Sequence, residues 1–377
     1  MDANGVGSEA ETRKGGARRW SLRTAYALRQ ASRVAWFAAH GEVAQAITRR
    51  IVRRSSGEQP ASARPAGSGP ARETPDLLRL FGQIGALFRR DLANVEAGHY
   101  PLPDGEFGSP MAFLDLSRRF LADVPKVARR RLDGAHQEVF ETDPDAARGL
   151  PRYYRQNFHF QTDGWLSAES ARIYDFQVEV LFKGATAAMR RQALVPLSRI
   201  ARRTDQRRLA YADIACGTGG LLAPALKAFP ALKGTGVDLS QAYLDEAWRR
   251  LPVRSCRRAC FVTAPAEALP FADASLDVLS TVYLFHELPP KIRRQAVAEF
   301  ARVLKPGGQV IFADSLQSGD EPENDGLLEL FPELFHEPYY RSYLEEDLDV
   351  IFAAHGLARI SLETAFLTRI AVYTKEG

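Results

Sequence analysis

In "LAYADIACGTGGLL", residues 209–222, an apolar run ends on Asp213 and is followed at once by Gly217, Gly219 and Gly220. This pattern reads as strand, glycine turn and helix. In open α/β sheets such strand ends hold ligands. Glycines let the backbone approach a ligand closely, and helix N-terminal amides favour an anionic group. A dinucleotide turn needs a third glycine at 222, where this chain has Leu222, which argues against a pyrophosphate. The acid at Asp213 would repel a phosphate and suits an amino group. Asp238, in "GVDLS", ends the next strand 19 residues after Gly219, where a carboxylate can accept hydrogen bonds from both hydroxyls of a ribose. The ligand implied is a nucleoside with an amino group and no phosphate, a description that S-adenosylmethionine fits.

A second constellation follows the fourth strand. In "STVYLFHELPPKIRRQ", His286 and Glu287 come just after Tyr283. His286 in this position can deprotonate or orient an acceptor. Equally, it can pack against a cap, with Glu287 near the positive end of the next helix. Two further segments have the composition of lids. "PRYYRQNFHFQTDGWLS" (151–167) is dense in aromatic residues and follows neither a helical nor a strand period. Residues 320–349 contain eleven acids and one arginine, a balance that disfavours phosphate-bearing acceptors. Tyr153, His159, His336, Tyr339, Tyr340 and Tyr343 are the candidates for contact with an acceptor.

The stretches "DIACGTGG", "GVDLS", "AEALPFADASLDVL" and "RVLKPGGQVIFAD", in this order over residues 207 to about 316, resemble the core of class I S-adenosylmethionine-dependent methyltransferases, the type 11 group especially. The resemblance implies S-adenosylmethionine as cofactor. It implies a contact set of Asp213, Ala215, Gly217, Gly219, Asp238, Leu239, Ala264, Ala266, Glu267 and Tyr283. Relatives often carry an Asp for the adenine amine where this chain has Pro265, so the adenine contact falls to the backbone of residues 264–267. Glu267 either meets the ligand or caps a turn. The implied activity is methyl transfer to a small, apolar or aromatic, quinone-like acceptor, with His286 and Glu287 as catalytic candidates. The alternative is a protein that uses the bound cofactor for another reaction or serves as a non-catalytic adaptor.

The elements that must position these residues follow from texture. Residues 207–374 alternate strands (209–214, 234–238, 259–263, 276–283, 308–315, 358–363 and 367–374) with helices. The pattern predicts an α/β, Rossmann-like, mostly parallel seven-stranded sheet with helices on both faces. The last two strands have no helix between them, so one must be antiparallel. Lys305–Gly308 reads as the turn into the fifth strand. Residues 73–205 read as an all-helical region and candidate lid domain, and 206–377 as the cofactor-binding domain, with an acidic cap insertion at about 317–345. Residues 1–72 carry 13 Lys/Arg against 5 Asp/Glu and read as a basic, flexible extension whose residues 55–72 form a linker. Within it, residues 20–54 have helical composition, with Arg19, Arg23, Arg29 and Arg33 on one arc but no clean apolar stripe opposite; the segment reads as a solvated, partly ordered extension, with a helix lying on a membrane surface as the alternative.

Three scattered cysteines make no disulfide framework, and Cys256 and Cys260 lack partners for zinc, so no metal is expected. No secretory signal is read, and the expected compartment is the cytoplasm. No Asn/Asp-Pro-Pro-Tyr/Phe motif is present, and no nucleic-acid partner is expected.

Overall fold

The computed structural model describes residues 5–55, 72–104, 107–137 and 149–377, with the side chains before residue 22 and that of Glu333 excepted. The helical part comprises α1 (Gly5–Ser55), α2 (Leu77–Glu96), α3 (Pro110–Asp133), α4 (Ala168–Leu181), α5 (Thr186–Arg191) and α6 (Leu194–Ala201). The alternating part runs β1 (Ala210–Ile214), α7 (Leu222–Ala228), β2 (Lys233–Asp238), α8 (Gln241–Arg250), α9 (Val253–Cys256), β3 (Ala259–Thr263), β4 (Leu276–Val282), α10 (Pro290–Val303) and β5 (Leu304–Ser315). The cap contributes α11 (Asp325–Leu334) and α12 (Tyr340–Glu345), and the chain closes with α13 (Leu348–Ala353), β6 (Leu357–Ala365) and β7 (Thr368–Lys375).

Local chemistry sets the boundaries. Ser240 starts α8 by accepting the Tyr243 amide on its hydroxyl, and Ser167 does the same for Ser170 at α4. Each satisfies a donor that has no partner inside the helix. Pro290 sits at the first position of α10, where its missing N–H costs nothing. The Lys305–Gly308 stretch is an irregular entry within β5: pairing with β4 jumps from Leu276–Leu304 to Val278–Gln309.

The seven strands form one sheet in the order β3-β2-β1-β4-β5-β7-β6. Pairing is parallel except that β7 runs antiparallel to both β5 and β6. The order reverses between β1 and β4, so the crevice outside their carboxyl ends is where a ligand belongs. One face is covered by α10 and α13, whose Phe300 and Phe352 join Phe285, Phe312 and Tyr373 in a single apolar cluster. On the other face Leu222 of α7 packs with Leu87, Met189, Leu194 and Leu197 of α2, α5 and α6 against Tyr211, Val278 and Ile311. The sequence reading separates 73–205 from the sheet. In the structure α5 and α6 are one of the sheet's two covers, because the strands' second apolar face needs a partner.

The reading of residues 1–72 as a separable extension is also corrected. α1 is helical from Gly5, and among its described side chains Tyr26, Gln30 and Phe37 are buried. Phe37 is fully buried, with its ring 5.1 Å from Phe176, 5.7 Å from Phe107 and 5.9 Å from Phe113. The Tyr26 hydroxyl donates to the buried Asp91, which also receives Tyr100 and both Nε and Nη2 of Arg191. Arg23 pairs with Glu96 and Arg33 with Glu179, so two members of the basic arc are engaged by acids of α2 and α4. Residues 56–71 of the expected linker lie outside the described residues. Among the described residues, no helix is long and apolar enough to cross a membrane.

Candidate functional site

A cleft of ≈ 1000 Å³, part of it open to solvent, lies over the carboxyl ends of β1 to β4. Its floor is the sheet edge: Asp213, Ala215 and Gly217 after β1, Asp238 and Leu239 after β2, Ala264 to Ala266 after β3, and Tyr283 and Glu287 after β4. Its roof comes from the helical half of the chain, through Tyr153, Tyr154, Trp165, Tyr174 and Arg190. Ala215 (φ 55°) and Tyr283 (φ 59°) leave their strands through left-handed backbone. Such conformations cost of order 1–3 kcal/mol each, so surrounding packing must hold them.

Asp238 organises the turn. Its Oδ2 accepts the Gly217 amide at 2.8 Å and its Oδ1 the Ser240 amide at 2.8 Å. Burial raises its pKa, and the Ser240, Gly217 and Leu239 amides oppose that rise. Each oxygen keeps lone-pair capacity for a further donor. Asp213 accepts the Ser280 hydroxyl at 2.6 Å. Burial pushes its carboxyl up to about 7, with the Ser280 hydroxyl and the Leu222 amide pulling the other way. A buried acid with so few donors is stabilised by an arriving cation.

Arg190 is the one cation among the described lining residues. Its Nη1 donates to Asp175 Oδ1 at 2.5 Å, while Asp175 Oδ2 takes the Thr218 hydroxyl at 2.5 Å and the Arg250 guanidinium. A Cβ on Gly220 would stand 2.7 Å from Arg190 Nη1. Gly220 therefore makes room for a guanidinium over the turn. The cleft thus offers an acid to an ammonium, a cation to a carboxylate, a second acid to a diol, and an apolar wall of Leu239, Ala264, Pro265 and Ala266 to a flat ring.

Several residues singled out in the sequence stand elsewhere. Gly219 (φ 80°) faces Ala247 of α8 and not the cleft. Glu267 receives the Tyr153 hydroxyl at 2.7 and 2.9 Å, which ties the roof to the floor at the edge of the cleft. His286 is buried and turned away. Its Nδ1 lies 2.5 Å from Asp314 Oδ1, and its Nε2 is 3.8 Å from Glu287 Oε1. Burial lowers the imidazole pKa, but the adjoining Asp314 carboxylate outweighs it and the net value rises to about 9. Of the two readings of His286, a base facing an acceptor or a packed residue, the structure shows the packed one. Glu287, whose carboxyl burial pushes well above the usual range, is the member of the pair that reaches the cleft.

None of the described residues of the acidic cap lines the cleft. Tyr340 and Tyr343 are core residues, with hydroxyls 2.6 Å from Ser315 Oγ and 2.5 Å from its carbonyl oxygen. His336 stacks on His136 at 4.2 Å and its Nε2 meets Gln156 Oε1 at 2.7 Å. The Tyr339 hydroxyl is 3.5 Å from Gln156 Nε2. His159 lies against Glu337. Of the acceptor candidates, Tyr153 alone lines the cleft. The sequence reading set apart the 151–167 segment, which brings Tyr153, Tyr154 and Trp165 to the cleft, but it missed Arg190, Asp175 and Tyr174. The doublet Gly219–Gly220 was the one visible hint, since a second glycine beside the turn asks what approaches it.

Residues 212–308 match the family "Methyltransferase domain". The chain is 34% identical over 146 residues to a ubiquinone/menaquinone biosynthesis C-methyltransferase of Campylobacter jejuni, covering 37% of this chain and 58% of that protein. It is 38% identical over 104 residues to a phthiotriol/phenolphthiotriol dimycocerosates methyltransferase of Mycobacterium tuberculosis, covering 27% and 36%. The chain therefore spans little more than half the length of the first of these relatives. Among solved structures, human N-acetylserotonin methyltransferase in complex with SAM aligns over 69% of this chain and 70% of that one, at 13% identity and a TM-score of 0.47.

Proposed function

We propose that the protein, whose residues 212–308 match a methyltransferase domain and whose seven strands form one mostly parallel sheet, transfers a methyl group from S-adenosylmethionine to a small apolar or aromatic acceptor, quinone-like in shape. The observation that carries the reading is one cleft at the sheet's switch point, with Asp213, Asp238 and Arg190 converging on it. Two acids and one cation match a ligand with an ammonium, a ribose diol and a carboxylate, and the absence of further cations among the described lining residues disfavours phosphate.

In this reading Asp238 binds the ribose hydroxyls while its two backbone bonds keep the turn in place. Asp213 neutralises the ammonium, and Arg190, braced by Asp175, holds the carboxylate. Leu239 and the 264–266 backbone flank the adenine. The cofactor, once bound, supplies an electrophilic methyl group with a good leaving group. The protein's remaining tasks are to orient the acceptor and exclude water, which account for much of the rate in a displacement of this kind. Tyr153, Tyr154, Trp165 and Tyr174 form an aromatic roof suited to a flat apolar acceptor. Glu287 lies at the acceptor end, and His286 acts through it, held by Asp314.

The relatives named for quinone and lipid methylation support an apolar acceptor. The test is incubation of the purified protein with methyl-labelled S-adenosylmethionine and a panel of hydroxylated quinones and phenols. Label in an organic extract together with S-adenosylhomocysteine is the expected result. Tight cofactor binding with no S-adenosylhomocysteine for any acceptor would favour the adaptor reading. Failure of calorimetry to detect the cofactor at all would remove both.

A further inference from the structure

Three side chains from three distant segments meet beside the cleft. His159 comes from the aromatic roof, Glu287 from the exit of β4, and Glu337 from the acidic cap. Their ligand atoms all lie within 4.8 Å of one another. The Glu337 side chain is wholly buried, yet neither of its carboxylate oxygens receives a hydrogen bond. Its near neighbour is Nε2 of His159, whose own backbone takes a left-handed conformation (φ 56°). Among the described residues, no lysine or arginine pairs with either Glu287 or Glu337; their close ionic partners are His286 and His159.

Bringing two carboxyl groups into one buried space with only imidazoles beside them is costly. Elsewhere in this protein the same problem is solved plainly: Asp91 has an arginine and two tyrosines, and Asp175 has two arginines and a threonine. Glu337 has neither remedy. A cation would supply what is missing.

We propose that His159, Glu287 and Glu337 form a site for a first-row divalent cation at the acceptor end of the cleft. One imidazole and two carboxylates are a donor set that manganese, ferrous iron and zinc all accept. Metal–donor distances of about 2.0–2.2 Å place opposite donors roughly 4 Å apart, so the cluster closes on an ion by small rotations of the two glutamates. Glu287 lines the cleft, which leaves the ion's remaining positions facing it. There it can take an oxygen of an acceptor. This last step rests on the methyl-transfer reading, whereas the cation site does not. The ion would also tie roof, sheet edge and cap together, since each gives one ligand. The sequence held no signal for it: positions 159, 287 and 337 have no metal-ligand spacing.

The test is titration of the metal-free full-length protein with manganese chloride in 0.15 M salt, without cofactor or acceptor. Free manganese is followed by electron paramagnetic resonance. One ion bound per chain is expected. Pulsed spectra should show nitrogen coupling from a single imidazole. Glu337→Gln should weaken binding at least tenfold, the scale already seen for loss of outer-sphere partners. His159→Gln should do the same and abolish the nitrogen coupling. Melting curves check that both variants fold. If Glu337→Gln does not fold, His159→Gln and the wild-type nitrogen signal still decide. Absence of stoichiometric binding in the wild type would overturn the site. So would binding that both variants retain, which would put the ion on the exposed acids of the cap. Because neither cofactor nor acceptor is present, failure here leaves the methyl-transfer reading standing. Failure of the labelling experiment, conversely, leaves the cation site untouched.

Discussion

Asp213 and Asp238 are both buried acids of the cleft, but their donors differ. Asp238 receives two backbone amides at 2.8 Å. Asp213 rests chiefly on one hydroxyl, and burial pushes its carboxyl up to about 7. An ammonium arriving beside Asp213 favours the ionised form, so cofactor binding should release a proton below pH 7. Affinity should then rise with pH, by at most about tenfold per unit, until Asp213 is ionised. Above about pH 8 the ligand's own amino group begins to lose its proton and the trend reverses. Asp238 and Arg190 also face Asp213, but neither substitutes for its titration. Calorimetry at pH 6.5 in two buffers of different ionisation enthalpy measures the proton directly, and Asp213→Asn should remove it. Identical proton release in that variant would place the ammonium elsewhere. At Asp238 the expected loss is that of hydrogen bonds to a diol. Asp238→Asn keeps the shape but forfeits charge-assisted bonds, and should weaken cofactor binding by about 1.5–3 kcal/mol. Unchanged affinity by calorimetry would exclude Asp238 from the ribose.

At the scale of elements, α1 shows what composition conceals. Its arginines and alanines read as a solvated arm, because its apolar residues make no single stripe. The structure supplies the reason: α1 is met from several sides. Phe37 enters the ring cluster of Phe107, Phe113 and Phe176, while Tyr26 turns to Asp91 of α2. A stripe appears in sequence only when a helix has one partner. The sheet was legible for the opposite reason. Its strands are short apolar runs ended by glycine or acid, and each depends on a local signal: "GTGG" after β1, "DLS" after β2, "KPGG" within β5. His286 was legible as a position but not as a role, since Asp314, its partner, lies 28 residues away on another strand. The packing of α1 makes a firm prediction. Phe37→Ala should destabilise the protein by about 3–5 kcal/mol in urea denaturation, the usual cost of emptying a buried aromatic site. A loss below 1 kcal/mol would return α1 to the status of an appendage.

At the scale of the whole molecule, the cleft exists only where the helical half meets the sheet, and Asp175 is the joint. From α4 it takes Arg190 of the roof, Thr218 of the glycine turn and Arg250 at the end of α8. Burial raises its pKa, but the two arginines and Thr218 more than reverse this, and the net pKa falls below the usual carboxylate range. A depressed carboxyl contributes stability above its unfolded pKa near 4 and loses it as pH falls through the folded value. Asp213 has the opposite sign: its raised pKa favours folding below about pH 4, an advantage lost as pH rises through 7. The two acids therefore tilt the stability curve in different windows, and substitution separates them. Asp175→Asn keeps the volume and leaves two arginines without their carboxylate, both of them partly buried. Breaking such a pair costs about 3–5 kcal/mol. Denaturant midpoints should fall at pH 7, and their dependence on pH below 4 should shrink by the share of Asp175, since Asp115 and Glu299 also have lowered pKa. Arg190 also loses its brace over the turn, so cofactor affinity should drop even where the variant remains folded, at low temperature and without denaturant. Thr218→Val, which removes one hydroxyl and leaves both arginines paired, should lower stability far less. A variant that lost stability but kept full cofactor affinity would mean that Asp175 joins the two halves without positioning Arg190, and the carboxylate would then have to be sought among the backbone amides of the turn.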